Sequence, residues 1–410
     1  MSEAAPPRPG NRLPLGRDFW YLLSGSNVSL LGDVLGSMAL IWVIMERTGS
    51  VTAMSQGLLL RLLPPVILGP VAGAILDRYP RKYAMMAADL INGIVTSFVA
   101  FTLWRGTFVV GHAFLMFFVS GVVHTFHGPS SIALLPSLVS RDSFQRANAL
   151  QATARGAVSA GGAAVAGFAI RYFGEAAALA FDAATFFFAV ASIGLIRSGY
   201  QGTRANPGDS PRRSWQDLRA GVAFILRTPV VWQLMLVANL VNLAGAPSGV
   251  LVPAFTRETL GGDVAAFGVM TSVGSVGSLL GPAIVAARGS MGQRSRVIVL
   301  TVLGIGVGRL LFALSPNTTV ATAAWLVISL PGPLMAIAYN AIYRDAVPEA
   351  LRGRVYAWRY NLSMVLTPVA VAAAGPLADA FGPRPVLIVL GLIATGAALL
   401  AAASPALRDW

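Results

Sequence analysis

Long runs of hydrophobic residues recur along this chain, separated by short polar segments. An α-helix rises about 1.5 Å per residue, so roughly 20 residues cross the apolar core of a bilayer, which is about 30 Å thick. Strands of a membrane barrel would alternate apolar and polar residues, and these runs do not alternate. The pattern therefore predicts an all-α membrane protein with twelve transmembrane helices. The predicted spans are Phe19–Met45, Thr52–Leu76, Tyr83–Trp104, Phe108–Leu134, Ala147–Ile170, Ala176–Ile196, Val230–Phe255, Val264–Ala287, Val297–Ser315, Thr318–Ile342, Val355–Ala378 and Pro385–Ala403.

The amino-acid composition agrees with this prediction. Hydrophobic residues make up 55% of the 410 residues, and charged residues only 11%. A soluble domain carries about 25% charged residues and could not bury this much apolar side chain in one core. The composition excludes a disordered chain, a nucleic-acid-binding domain and an ordinary soluble enzyme. The chain has no cysteine, which also excludes disulfides and thiolate metal sites.

The net charge of +13 is unevenly distributed between alternate loops. Loops that follow odd-numbered spans hold basic and acidic residues in equal numbers, so the excess of Lys and Arg lies mostly on the other side. Such an excess marks the cytoplasmic side of a membrane protein. We therefore expect a multi-pass protein of the cell (inner) membrane, with both termini cytoplasmic and no nucleic-acid partner. The balanced outer charges are Arg47, Arg105, Arg171, Arg257 and Arg384 against Glu46, Glu175, Glu258, Asp263 and Asp379.

One long polar segment divides the predicted spans into two groups of six. The regions so defined are a tail over 1–18, a six-helix bundle over 19–196, a linker over 197–229, a second six-helix bundle over 230–404 and a tail over 405–410. Within the linker, a capping pattern at 214–217 precedes an apolar face formed by Trp215, Leu218, Val222 and Ile225. This pattern indicates an amphipathic helix on the inner membrane surface or, equally, a plain spacer.

The two groups of spans share short sequence matches. Leu68-Gly69-Pro70 recurs as Leu280-Gly281-Pro282, and Pro136 recurs as Pro348 at the same offset. Phe173-Gly174 recurs as Phe381-Gly382 at a similar offset. These matches favour a duplicated six-helix unit, in which two parallel halves are related by an axis along the membrane normal.

A charged motif fills the short inner loop between the second and third spans. The sequence is Gly73-Ala-Ile-Leu-Asp77-Arg78-Tyr-Pro80-Arg81-Lys82. It resembles the loop signature of the major facilitator superfamily, Gly-x-x-x-Asp-Arg-x-Gly-Arg-Arg/Lys, with Pro80 at the second glycine. The resemblance implies that Asp77, Arg78, Arg81 and Lys82 form a conformational gate bracing the two halves in one state. Gly73 would allow close helix contact there, and Asp89 would join the cluster.

Further segments narrow the resemblance to one branch of that superfamily. They are Ser29-Leu-Leu-Gly32-Asp33, Leu60-Arg61-Leu-Leu-Pro64, Arg146-Ala-Asn148-Ala-Leu150 and Val347-Pro-Glu-Ala-Leu-Arg352-Gly353-Arg354-Val355. They are similar to the macrolide-efflux and enterobactin-exporter proteins, which implies export of drugs, siderophores or related molecules. One departure is Ala163, which stands where drug antiporters often carry a proline.

Asp33 lies near the middle of the first span, where a charge costs about 2.5–3.5 kcal/mol. Ser26, Ser29 and Ser37 share its helix face, so we expect this face to line a wet cavity. An acid at this depth could gain and lose a proton in each transport cycle. Alternatively, Asp33 and Arg61 form a permanent ion pair that only holds the first two helices together. The sequence leaves both interpretations open.

Other intramembrane polar residues are candidates for the substrate cavity. They are His124 in the fourth span, Asn239 and Asn242 in the seventh, and Tyr339, Asn340 and Tyr343 at the end of the tenth. The histidine could relay protons or bond a neighbouring helix, and the others could equally join helices to one another.

The sequence carries no P-loop, no catalytic motif of a hydrolase and no metal-ligand set. We therefore expect a transporter driven by an ion gradient, with no cofactor, no metal and no enzymatic activity. The favoured interpretation is a monomeric, proton-coupled exporter of amphiphilic small molecules surrounded by membrane lipids. The alternatives are a same-fold importer or lysolipid flippase and, less favoured, a non-transporting scaffold or an enzyme.

Overall fold

The structure is a computed structural model that describes residues 15–76, 79–197, 221–288, 292–408 and 410. These residues are predominantly helical, and no strand occurs among them. The first spans are α1 Arg17–Thr48, α2 Val51–Leu76, α3 Arg81–Trp104, α4 Val110–Leu138 and the run Phe144–Gly194. The later spans are α7 Pro229–Thr259, α8 Val264–Arg288, α9 Arg294–Ala313, α10 Thr318–Ala346, α11 Glu349–Phe381 and α12 Pro383–Ala403.

Eleven helical runs of the described chain are long and apolar enough to cross a membrane. One of them, Phe144–Gly194, contains two spans, because Gly174 adopts a φ of 81° and reverses the chain. We name the parts before and after Gly174 α5 and α6. Gly382 adopts a φ of 83° between α11 and α12. Only glycine adopts this backbone conformation at little cost. The twelve-helix prediction is confirmed, and the Phe-Gly repeat corresponds to the same chain reversal in each half.

Helices α1–α6 and α7–α12 form two bundles that meet along α5 with α8 and along α2 with α11. The α5–α8 seam is a backbone contact. A Cβ added at Gly268 would collide with the carbonyl oxygen of Ala163, and one at Gly167 would lie 2.7 Å from the carbonyl oxygen of Val264. The backbone N–H of Ala164 donates to Ser272 Oγ at 2.8 Å. Close approach of small residues is how helices associate without a hydrophobic driving force in lipid.

We expect Gly268→Val to destabilise the seam, because the new side chain has no room beside the Ala163 carbonyl. Overpacking of this kind costs about 1–3 kcal/mol. The thermal midpoint of the purified protein should fall, as followed by intrinsic tryptophan fluorescence. Gly396→Val in α12 is the control, since a Cβ there meets nothing within 4 Å. Equal losses in the two variants would contradict the prediction.

The bundles are joined by polar contacts at one end, which is opposite to the end that carries residues 15 and 410. Asp379 of α11 accepts hydrogen bonds from the start of α2: from Ser50 Oγ at 2.7 Å, from Val51 N at 2.7 Å and from Thr52 N at 3.1 Å. Two ion pairs lie at the same end, Arg171–Asp263 at 2.5 Å and Arg257–Glu46 at 3.8 Å. The two bundles are therefore held together at this end.

At the opposite end, which carries both termini, the contacts of Lys82 and Arg294 do not cross between the bundles. Lys82 Nζ donates to the carbonyls of Gly194 and Ile196 at 2.8 and 2.6 Å, and Arg294 pairs with Asp345. Each of these described contacts stays within one bundle. A Cβ at Gly73 would meet nothing within 4 Å. The side chains of Lys82 and Arg294 therefore do not tie the two bundles together at the end that carries both termini.

The predicted amphipathic helix of the linker is only partly described, because Trp215 and Leu218 lie outside the described residues. Residues 221–227 are helical. Gly221 lies against α11, where a Cβ would be 3.2 Å from Trp358 and 3.3 Å from Arg354, and Ile225 is buried. The end of the linker thus packs on the second bundle.

Candidate functional site

A polar cavity of about 290 Å³ lies inside the first bundle. All six helices of that bundle contribute to its wall. Its polar lining consists of Ser26, Ser29, Asp33, Arg61, Asp89, Asn92, Ser120, His124, His127, Ser131 and Arg155. Since a polar side chain facing lipid is costly, a cluster of this size within the spans defines a wet compartment.

Asp33 lies half-buried on the cavity wall. Its carboxylate interacts electrostatically with Arg61, His127 and Asp89. Yet none of the ion pairs of the described chain joins Asp33 to Arg61 within 4 Å. Ser37 shares the Asp33 helix face, but its hydroxyl donates to the backbone carbonyl of Asp33 at 2.6 Å and does not line the cavity. The carboxylate of Asp33 is therefore accessible from the cavity in this state.

Asp89 lies on the same cavity and contacts α4. Its Oδ1 is 3.5 Å from His127 Nε2, and its side chain is 3% exposed. Next to it, Asn92 Oδ1 accepts a hydrogen bond from Ser120 Oγ at 3.3 Å. His124 lines the cavity one turn before His127 and is exposed. The structure thus brings Asp89 together with Asp33 and the two histidines.

A further acid, Asp182 of α6, is 1% exposed and lies behind Asp33. Its carboxylate fills the groove left by Gly32 and Gly36 on α1, where a Cβ at either position would collide with it. The charges of Asp33 and Arg61 act on it. The sequence feature that could have predicted this contact is the pair Gly32 and Gly36, which lie on one face of α1 beside Asp33. Two glycines at this spacing leave room for a side chain of another helix.

The wall contributed by the second bundle joins α7, α10 and α11. Asn242 Nδ2 donates to Ser363 Oγ at 3.2 Å, and Ser363 Oγ donates to Asn239 Oδ1 at 3.3 Å. Arg359 Nη1 donates to Asn340 Oδ1 at 2.9 Å. Asn242 and Asn340 are exposed, whereas Asn239 is buried. Sequence reasoning did not identify Ser363 and Arg359 as parts of this cluster.

The two tyrosines predicted here are buried within the second bundle. Tyr339 and Tyr343 stack with ring centroids 4.8 Å apart, and Tyr343 OH donates to the carbonyl of Val231 at 3.3 Å. Tyr356 of α11 lies 6.0 Å from Tyr343. The Arg359 guanidinium lies over these three rings.

The residues of the predicted gate are partly described. Gly73 is exposed, and Lys82 Nζ donates to the carbonyls at the end of α6. Arg81 is the first residue of α3. Asp77 and Arg78 lie outside the described residues, so the gate remains a prediction.

Comparisons with known proteins agree on the nature of the chain. A family model described as Major Facilitator Superfamily matches residues 22–370. Macrolide efflux protein A of Streptococcus pyogenes is 22% identical over 369 residues, which cover 89% of this chain and 90% of that protein. Multidrug efflux pump Tap of Mycobacterium tuberculosis is 24% identical over 401 residues, which cover 95% and 94%.

Solved structures show the same fold. A bacterial homologue of the iron transporter ferroportin, in an inward-facing state, superposes with a TM-score of 0.72 at 16% identity, covering 95% of this chain and 99% of that chain. At this identity the likeness concerns the fold alone.

Proposed function

Because the chain belongs to the major facilitator superfamily of membrane transporters, we propose that it exports amphiphilic small molecules by proton-coupled alternating access. Efflux relatives of nearly equal length support the outward direction, since each aligns with about nine-tenths or more of this chain. The spans suit amphiphiles, because a few polar groups stand among many apolar residues along them.

The accessible carboxylate of Asp33 is the observation that carries the coupling proposal. An ionised acid within a span is costly unless it is paired, and Asp33 has no ion-pair partner within 4 Å among the described residues. It faces a wet cavity that already contains two histidines. A group placed in this way can exchange a proton with the solution in one state and keep it in the other.

A proton gradient supplies enough energy for this role. One proton moving across about 100 mV releases roughly 2.3 kcal/mol, and one pH unit adds about 1.4 kcal/mol. Together they sustain a substrate gradient of a few hundredfold, which is sufficient for efflux.

The proposed cycle begins from a state that opens toward the termini, since the described contacts between the bundles close the opposite end. If the termini are cytoplasmic, as the loop charges indicate, this is the state that loads substrate from inside. The opposite state then requires release of the Asp379 and ion-pair contacts and closure of the end at Gly73. The gate residues Asp77, Arg78, Arg81 and Lys82 are proposed to brace that closure.

Vesicles of both orientations test this proposal. We expect energised inside-out vesicles to accumulate radiolabelled erythromycin, or another member of a panel of neutral, cationic and anionic amphiphiles, and a protonophore to abolish the accumulation. Right-side-out vesicles should not accumulate the same probe. Proton-driven uptake into right-side-out vesicles would overturn the export direction, and the absence of flux across the panel in both orientations would overturn transport of this substrate class.

A further inference from the structure

An arginine surrounded by tyrosine rings lies in the second bundle, on α11. The Arg359 guanidinium carbon lies 5.1 Å from the ring centroid of Tyr339, 5.7 Å from that of Tyr343 and 5.1 Å from that of Tyr356. We call Arg359, these three tyrosines and Asn340 the arginine cage. Rings at these distances stabilise a cation and fix its position.

The positive charge of the cage is not neutralised by an acid. None of the ion pairs of the described chain includes Arg359, and its hydrogen-bond partner Asn340 is a neutral amide. A guanidinium carries five N–H donors in a planar fork, and Asn340 accepts from one nitrogen, Nη1. The cage therefore holds a cation that can still donate to a ligand.

The polar side chains of the cage are partly exposed, and the cost of exposing them to lipid favours an orientation toward the space between the bundles. Arg359 is half-buried, while its partner Asn340 and the neighbouring Asn242 are exposed. These side chains lie within membrane spans, where an exposed polar group facing lipid is unfavourable. They also lie on three different helices, α7, α10 and α11, which bring them to one side of the bundle. A ligand entering between the bundles would meet this side.

The facing wall has no surplus of negative charge to attract a cation. Arg61 and Arg155 line the cavity of the first bundle together with Asp33 and Asp89. Asp89 already contacts His127. With Arg359 added, the two walls hold three arginines against two aspartates, and a third acid, Asp182, is buried behind Asp33. Electrostatic complementarity then favours an anionic ligand.

We propose that the arginine cage binds the anionic group, a carboxylate or a phosphate monoester, of an amphiphilic substrate. The fork of Arg359 makes paired charge-assisted hydrogen bonds to two oxygens of that group. The half-buried ring of Tyr356 contacts the adjoining apolar body, whereas the buried rings of Tyr339 and Tyr343 hold the guanidinium in place. This inference rests on the proposed function in one respect, because it assumes that the bound ligand is the transported molecule.

Binding to the purified full-length protein in nanodiscs of phosphatidylcholine tests the cage without relying on transport. The probes are decanoate, decyl phosphate, decanol and decyltrimethylammonium, and the readout is the thermal midpoint followed by tryptophan fluorescence during titration. We expect the two anions to bind more tightly than decanol or the ammonium compound. Arg359→Gln should weaken the anions about tenfold or more and leave decanol unchanged, because it removes a charged donor pair.

Three further variants separate recognition from folding. Arg359→Lys keeps the charge and should retain part of the anion preference, whereas Tyr339→Phe keeps the ring and should retain nearly all of it. Arg344→Gln removes an exposed arginine of α10 outside the cage and should change nothing. Equal binding of decanoate and decanol by the unmodified protein, or an unchanged anion affinity in Arg359→Gln, would overturn the proposal.

The source of the anion is tested by changing the bilayer. If phosphatidylglycerol added to the nanodisc displaces decyl phosphate, the cage is a lipid headgroup site and the substrate proposal is overturned. If it does not, the site belongs to a freely exchanging amphiphile. If the protein exports erythromycin but binds neither decanoate nor decyl phosphate, anion binding by the arginine cage is refuted and the proposed transport function stands.

Discussion

Asp33→Asn is expected to collapse the proton-driven substrate gradient from a few hundredfold to about onefold. The amide has nearly the shape of the carboxylic acid but cannot release a proton, so conformational change is no longer tied to proton movement. Passive exchange of substrate should survive, because the cavity keeps its size and its other polar groups. The measurement compares energised accumulation with counterflow in the same preparation of inside-out vesicles.

The matched control for Asp33→Asn is Asp345→Asn. Asp345 is an acid at the end of α10 that pairs with Arg294, away from the cavity. The Asp345→Asn variant should fold and insert normally, and its inside-out vesicles should accumulate substrate as those of the unmodified protein do. If Asp33→Asn inserts normally and still builds a gradient, Asp33 is not the coupling site.

Asp379→Ala is expected to shift the conformational equilibrium toward opening of the closed end. The carboxylate caps the start of α2 from the other bundle through Ser50, Val51 and Thr52, so its removal weakens a contact present only in the closed state. Loss of a helix cap costs about 1–2 kcal/mol, which corresponds to about a 5- to 30-fold change in populations.

The absence of native cysteine makes this shift measurable, because labels introduced at Arg47→Cys and Ala380→Cys report without background. The two positions lie at the closed end on different bundles, and double electron–electron resonance gives their distance distribution. Asp263→Asn is the control, since it breaks an exposed ion pair across the same end that contributes at most about 1 kcal/mol. We expect Asp379→Ala to populate longer distances between the two labels more than Asp263→Asn does. Equal populations in the two variants would contradict the capping role of Asp379.

The number and type of the helices could be predicted from the hydrophobic runs alone, but their ends could not. Helix α11 begins at Glu349, before the predicted Val355, and α4 ends at Leu138, after the predicted Leu134. Hydrophobic runs indicate which residues lie in the bilayer core. A helix can continue beyond that core through polar residues such as Arg352 and Arg354, because its backbone hydrogen bonds do not depend on hydrophobic side chains. Most helices therefore extend past the predicted spans at their inner ends, whereas α2 and α12 end at the predicted residues and α6 ends at Gly194, before the predicted Ile196.

The candidate site was predictable where it depends on one helix. Ser26, Ser29 and Asp33 share a face by helical spacing, and the structure places all three on the cavity. The contact of Asp89 with His127 depends on the depth at which α3 meets α4, which the sequence alone does not fix. The arginine cage needs rings from both α10 and α11 and was missed for the same reason. The roles of these residues remain predictions.

The one-residue reversal at Gly174 has a mechanical consequence. A loop between α5 and α6 could absorb relative displacement, but a single glycine between two helices leaves no slack. Helix α5 forms the α8 seam at one of its faces, while α6 presses Asp182 into the groove of α1 beside Asp33. A displacement of α5 at the α8 seam would therefore also move α6 and its contact with α1 beside Asp33. Gly382 joins α11 to α12 through a single residue in the same way.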